Sequence, residues 1–472
     1  MSLLKGQMIA PDNWETKLGA ALGDGLRYGT LFADSRGLVC ILFDKDDNGS
    51  CFRTEHSSNV ASLVQSAPAA AWAEREAHET HGITFAGHSP LRPLLAHTSD
   101  WTIPVTGPDQ HEVAVGPVHA GIIESGHFLL HVVGERIYML DLRLFYKHRG
   151  LEQAAVGKTL SEGLRYAQRM CAGCAVANTL AYVMAAESLL QQPHDETTRV
   201  VRTILLELER LWNHLNDLSA ICAGVGFAAG SMGFAALKEQ AQRINQSLFQ
   251  HRFLFSTIAI GSSPIVPERG QAAGAIDEIH KIWEQASIVF GAFERNGSVQ
   301  DRLTQVGVLS YRMASRLGAV GPAARASGVV RDARTSSPEL AYDGFQAAAP
   351  RQPAGDVMAR TGMRFLELAE SCTMLPALLE RYQQLPPAAG QSRTRRLPEL
   401  PRHHVGLGRV ESARGETLCC IESDKGKISR LHLKTSSYAN WPAVAQAVAG
   451  NVMGDFPLIN KSFELCYACV DR

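Results

Sequence analysis

The sequence predicts an α+β protein: a small mixed α/β domain over residues 1–100, then a large, mainly α-helical domain over 101–472 with a minor β part. Two observations carry the prediction, and a third narrows it. Val201, Ile204, Leu205, Leu208, Leu211, Trp212, Leu215 and Leu218 recur at steps of three and four, the spacing of one buried helical stripe. Strand-like runs lie on either side of the helical stretch instead of alternating with it. No repeat at a period of about 20–50 residues is visible, which excludes a solenoid.

In chain order, GLVCILFDKDDNGSCFRTEH holds two strand-like runs around Asp46-Asp47-Asn48-Gly49, a hairpin in which Asn-Gly takes the positive φ of the turn. A helix follows through WAEREAHETHG, ended by Gly82. GHSPLRPLLAHTSDW reads as a loop and puts the domain boundary near Trp101. The next stretch suggests strands with a tight turn around Glu124-Ser125-Gly126. From Ser161 the pattern is helical, most clearly over 198–218, then over 235–253, 272–293 and 356–382. Strand-like alternation returns in HHVGLGRVESARGETLCCIES and ISRLHLKTSS.

Composition excludes several function classes. With 46 Lys+Arg against 47 Asp+Glu, the chain lacks the basic excess that nucleic-acid binding needs, and it has no acidic disordered tail. Residues 218–237 form a run of 20 without a charged side chain, nominally enough to span a bilayer. Ala, Gly and Ser dominate it, so insertion would gain little; it reads as buried soluble structure with a glycine break. The N-terminus shows no apolar signal segment, and the expectation is a soluble, cytoplasmic chain.

Of ten cysteines, Cys40, Cys51, Cys222, Cys372, Cys419 and Cys420 read as small buried hydrophobes. The other four form two C-x-x-C pairs, Cys171/Cys174 and Cys466/Cys469, where chance would give about 0.2 such pairs. That spacing lets both sulfurs face one ion, and two pairs supply four soft ligands suited to Zn, Fe–S or a Ni/Fe thiolate centre. The 291 residues between them argue against a zinc ribbon and for a metal held between the two ends of a large domain. A redox dithiol explains one pair well and both poorly. The histidines give no metal spacing, and Glu209-Arg210, beside the apolar stripe, reads as structural.

A C-x-x-C at the start of a long helix, paired with another at the C-terminus, resembles the catalytic large subunit of [NiFe] hydrogenases. GPVHAGIIESGHF, LRLFYKHRGLE, LELERLWNHLNDL, VGPAARASGV, ESARGE and DFPLIN…CYACVDR resemble one branch, the energy-converting hydrogenases of the formate hydrogenlyase type, in that branch's order. The first hundred residues resemble the accessory domain fused ahead of that subunit, and both modules are similar to neighbouring subunits of respiratory complex I.

The resemblance implies a Ni-Fe(CN)2(CO) centre with Cys171 and Cys466 terminal on nickel and Cys174 and Cys469 bridging. It implies that Glu124 passes protons to and from a nickel-bound cysteine, and that Arg414 reaches over the open metal position. It further implies an Fe–S small subunit carrying a [4Fe–4S] cluster, integral-membrane complex-I-like subunits, and an electron-donor enzyme or carrier protein. The place implied is the cytoplasmic face of the inner membrane. The chain departs from the family pattern at Gln168 (usually Glu), Ala172 (usually Gly), Asn178 (usually His) and Glu464-Leu465 (usually Asp-Pro). The usual His hydrogen-bonds a bridging sulfur, so Asn178 and Gln168 bear on the tuning of the centre. Relatives carry a C-terminal peptide removed on maturation, and Arg472 falls where that cut would lie. Two other readings stay open: a complex-I-like oxidoreductase subunit with a degenerate site, and a structural zinc protein with a closed four-thiolate site.

Overall fold

The structure, a computed structural model, describes residues 2–97, 101–120, 123–191, 194–350, 353–386 and 403–472. Its strands are β1 (Ser2–Ile9), β2 (Arg27–Asp34), β3 (Gly37–Phe43), β4 (Gly49–Thr54), β5 (Asn59–Ala61), β6 (Thr84–Ala86), β7 (Gln110–Val115), β8 (His127–Val133), β9 (Arg136–Arg143), β10 (His404–Ser412), β11 (Gly415–Asp424) and β12 (Lys427–Lys434). They form a seven-stranded sheet in the order β12-β11-β10-β1-β4-β3-β2, a three-stranded sheet β7-β8-β9 and a β5-β6 pair. The remaining described chain is mainly helical, so the α+β expectation holds.

The large sheet joins the two ends of the sequence. β1 runs antiparallel to β10, with Ser2 opposite Leu407, and parallel to β4, with Gly6 opposite Cys51. Residues 1–100 have a core of their own, including Trp14, Leu18, Leu31, Val60 and Phe85. A second core packs Leu4, Phe32 and Val39 against Val405, Leu407 and Leu418. The β3–β4 hairpin forms as expected, but the positive φ falls on Asp47 (63°) and not on Asn48. Asp44 explains the shift: its carboxylate accepts from the Asp46 and Asn48 N–H groups at 2.9 and 2.8 Å and so fixes the turn one residue early. The helix Ala71–His81 ends at Gly82 in the left-handed region, as its sequence predicts.

Three long helices build the large core: Glu196–Gly224, Ala228–Phe249 and Val357–Gln384. The helix Ala175–Leu190, every residue of it buried, lies directly on β10. That approach needs the missing side chain of Gly408, where a Cβ would stand 1.9 Å from the Ala181 carbonyl oxygen. Alanines at 177, 181 and 185 on the helix serve the same closeness.

Two local expectations change. The segment Glu124–Gly126 is not the tight turn expected there. The hairpin closes between β8 and β9 at Gly134, whose φ is +60°, and Glu124 lies in the irregular connection from β7 to β8. Residues 218–237 break at Gly226, as the glycines suggested, but the run is only partly buried: Met232 is 74% exposed. Among the described residues no helix is long and apolar enough to cross a membrane.

The sheet is also tied across by charge. Arg27 of β2 bonds Asp47 and Glu416, each at 2.7 Å, and Arg409 of β10 reaches the same two carboxylates at 2.9 and 3.3 Å. Burial would push the Glu416 carboxyl up, but Arg27 and Arg409 overrule it and hold it down at about 2. A depressed carboxylate contributes stability that is complete above its unfolded value of 4.5 and fades as pH falls towards about 2. Glu416→Gln should therefore cost about 2–4 kcal/mol at neutral pH and flatten the acid limb of stability in that window, measured by urea unfolding from pH 7 to 2.5.

Candidate metal centre

Each cysteine pair sits where a helix begins or ends. The helix Leu160–Gln168, started by a capping box between Thr159 and Glu162, leads into Cys171, and Cys174 is the residue before Ala175–Leu190. On the other side, the helix Phe456–Phe463 stops at Glu464 in the left-handed region, and Cys469 lies in the short helix Ala468–Asp471. One arginine bridges the two segments, and the start of the helix Ser436–Val448 holds the second. Arg149 Nη2 donates to the Met170 carbonyl at 2.8 Å and to the Ala468 carbonyl at 3.0 Å, one beside each pair. The Cys466 N–H donates to Ser437 Oγ at 3.0 Å, and Thr435 Oγ1 donates to the Cys469 carbonyl at 3.1 Å.

The four sulfurs converge. Those of Cys171, Cys174 and Cys469 lie within 4.8 Å of one another, and Cys466 Sγ is 3.1 Å from Cys171 Sγ. Neighbouring thiols hold Cys171 well below the usual thiol range, and that first thiolate pushes Cys174, Cys466 and Cys469 up. A cation would relieve that crowding, because it takes thiolates and releases their protons. Cys174 and Cys469 are buried, whereas Cys171 and Cys466 face a cavity of about 400 Å³ lined also by Ile123, Glu124, Arg414 and Tyr467.

Arg414 occupies the two-residue tip between β10 and β11. Gly415, at φ +119°, and Gly321 meet beneath it, and a Cβ on Gly321 would lie 2.4 Å from the Arg414 carbonyl oxygen. The guanidinium donates to Asn213 Oδ1 at 2.7 Å, to Asp217 Oδ1 at 3.3 Å and to the Glu464 carbonyl. Burial opposes its charge, but the Asp217 carboxylate overrules it and keeps the guanidinium protonated. Glu124 reaches the second pair: its Oε2 accepts the Ala468 N–H at 2.7 Å. Gly121 and Ile122, part of the apolar run before it, lie outside the described residues. Behind it, burial and then the Glu124 charge push Asp471 up to about 6.

Asn178, at the position of the usual histidine, is fully buried and directs Nδ2 at Cys469 Sγ, 3.8 Å away. Gln168 is buried at the end of its helix. Four further residues reach the site, three of them not singled out in the sequence and Glu209 read there only as structural. Glu209 accepts the Val176 and Ala177 N–H groups at 2.6 and 3.0 Å, and burial pushes its carboxyl up to about 8. Asn213 Nδ2 donates to the Gly173 carbonyl at 2.9 Å while its oxygen holds Arg414. Asp217 pairs with Arg364 and Arg414, and Arg149 closes the two segments as described. Glu209, Asn213 and Asp217 follow at steps of four along one face of the helix, a polar spacing that was visible in the sequence.

The family described as respiratory-chain NADH dehydrogenase, 49 Kd subunit, matches residues 225–406 and 398–472. The chain belongs to this 49 Kd family. A 30 Kd-subunit segment, matched over 37–110, is fused ahead of it. Two relatives of this fused chain in Escherichia coli are formate hydrogenlyase subunit 5 and hydrogenase-4 component G. Each is 28% identical, covering 87% and 88% of this chain and 76% of its own length. These matches bear out the resemblance to energy-converting hydrogenases. The fold is shared with a chain in the structure of the membrane-bound sulfane sulfur reductase, an archaeal respiratory membrane complex. The TM-score is 0.70 at 24% identity, covering 77% of this chain and 99% of that one.

Arg149→Ala should loosen the join between the pairs. In the metal-free chain, Cys171–Cys466 disulfide formation by a small aromatic disulfide, followed by peptide mass spectrometry, should slow about tenfold, the worth of two ordinary hydrogen bonds.

Proposed function

We propose that this chain is the catalytic large subunit of a membrane-associated [NiFe] hydrogenase complex and interconverts H2 with protons and electrons. The carrying observation is the convergence of four thiols from two distant C-x-x-C pairs on a cavity that also holds Arg414 and Glu124. The donor set fits the group: four soft ligands, two buried and two facing the cavity, with an amide N–H aimed at one buried sulfur. Cys171, Cys174, Cys466 and Cys469 would hold the Ni-Fe(CN)2(CO) centre. When bound, it supplies the Lewis acid and electron sink that heterolytic H2 cleavage needs.

The chain's own residues supply the rest. Arg414, fixed by Asn213 and Asp217, presents a permanent positive charge to the cavity. Glu124, with one oxygen anchored on the Ala468 N–H, has the other to exchange a proton with the cavity and pass it outward, and Asp471 stands behind it as a further carboxyl. Asn178 replaces a titratable donor by one that stays neutral, so its N–H···S contact does not change with pH. Electrons leave through an Fe–S small subunit with a [4Fe–4S] cluster, and complex-I-like integral-membrane subunits hold the assembly at the cytoplasmic face of the membrane. A second reading, a complex-I-like subunit with a degenerate site, draws on Ala172, Asn178 and Glu464-Leu465, which depart from the hydrogenase pattern.

Nickel and iron analysis with infrared spectroscopy separates these readings: both metals plus bands of bound CO and cyanide are expected, and one zinc without such bands would sink the proposal. Cys466→Ser should remove nickel while the protein stays folded, because a hard oxygen replaces a soft thiolate. Glu124→Gln should keep the metals but lower H/D exchange by about two to four orders of magnitude. Exchange at the wild-type rate in Glu124→Gln would show that the proton leaves by another route.

A further inference from the structure

The helix Ala175–Leu190 begins without a cap of its own. Its first turn presents N–H groups that need an acceptor, and the residue in the capping position is ordinarily Ser, Thr, Asp or Asn. Here that residue is Cys174, which makes no side-chain cap bond. The acceptor arrives from a different helix. Glu209, 2% exposed in the middle of Glu196–Gly224, takes the Val176 N–H on Oε2 at 2.6 Å and the Ala177 N–H on Oε1 at 3.0 Å. One turn on, Asn213 Nδ2 binds the Glu209 carbonyl at 2.8 Å and the Gly173 carbonyl at 2.9 Å, so the loop before the helix is held from the same place.

We infer that Glu209 is a positioning residue for the four-thiolate site: by capping the helix from outside, it frees the Cys174 sulfur from that duty and fixes its direction towards Cys171 and Cys469. A self-capping residue at 174 would turn its own side chain back onto the helix N–H groups, and the site would lose a ligand. An apolar residue at 209 would leave two buried N–H groups without an acceptor. A glutamate side chain matches the need because it offers an oxygen to each of two successive N–H groups at once. The functional meaning of this role rests on the metal-binding reading above; the cap itself does not.

Both parts are tested on the full chain with Glu209→Gln, Glu209→Asp and Glu209→Ala. Amide hydrogen exchange read by mass spectrometry should speed up about five- to thirtyfold over 175–178 in Glu209→Ala, the worth of a lost cap, with 182–190 unchanged. Glu209→Gln, of equal size and with one acceptor left, should fall between, and Glu209→Asp should recover part of the protection. Metal-free protein titrated with Co2+ should show weaker sulfur-to-cobalt charge-transfer absorption in Glu209→Ala and Glu209→Gln than in wild type. In metal-loaded protein the CO and cyanide bands should shift in Glu209→Gln. Unchanged exchange at 175–178 would overturn the cap. Faster exchange with wild-type cobalt absorption and band positions would reduce Glu209 to helix stability alone. A wild type lacking nickel and the CO and cyanide bands would refute the nickel–iron reading while leaving the exchange and cobalt results to judge Glu209.

Discussion

The arrangement depends on one helix that must be apolar enough to fill the core and polar enough to organise a site. Glu196–Gly224 does both by setting Glu209, Asn213 and Asp217 along one face and Glu207, Arg210 and His214 along another, with leucines between. Glu209 and Asn213 hold the first cysteine pair; Asn213 and Asp217 hold Arg414; Arg210 donates to the Glu411 and Ser412 carbonyls at 2.6 and 3.1 Å and so anchors the hairpin that carries Arg414. Rotating the helix by one residue would move all these contacts at once, because they share a single rigid backbone. Distances between the thiols and the guanidinium are therefore set by helical pitch more than by loops.

Around that helix lies a dense set of buried charges. Arg325 bonds Glu367 and Glu411 at 2.6 and 2.9 Å, Arg334 bonds Asp332 at 2.7 Å, and His214 bonds Glu367 at 3.0 Å. Desolvation offsets most of the attraction within such pairs, so their net contribution to stability is small. Their effect is on uniqueness. A buried guanidinium has few alternative partners, and the Arg325 and His214 bonds join segments far apart in sequence, which discourages sliding of Val357–Gln384 against the central helix and β10.

The sequence spoke most clearly where one physical rule acted alone. Helical periodicity located 198–218 and 356–382 to within a few residues of the helices Glu196–Gly224 and Val357–Gln384. The C-x-x-C spacing singled out four cysteines that the structure gathers, and the motif order pointed to the family. Where two rules competed, the reading failed. The Asp46–Gly49 turn followed the Asp44 carboxylate and not the Asn-Gly propensity, and the glycine-rich run 218–237 proved half-exposed because its second part faces outward. The part played by Glu209 and Arg149 at the site was illegible for another reason: their partners are backbone groups, and a backbone N–H or carbonyl leaves no trace in side-chain identity.

The seven-stranded sheet has a temporal meaning as well. Ser2 pairs with Leu407, so the edge of β1 that faces β10 has no partner until about 400 further residues have been synthesised. At ordinary elongation rates that delay is ~20–80 s, long against hairpin formation and long enough for an open strand edge to meet another chain. The β1–β4 half of the sheet can assemble early around its own core, yet it must wait as an unfinished template. Production of this protein is thus expected to be sensitive to translation speed and to whatever shields nascent strand edges, and its yield of native sheet is decided when β10 emerges.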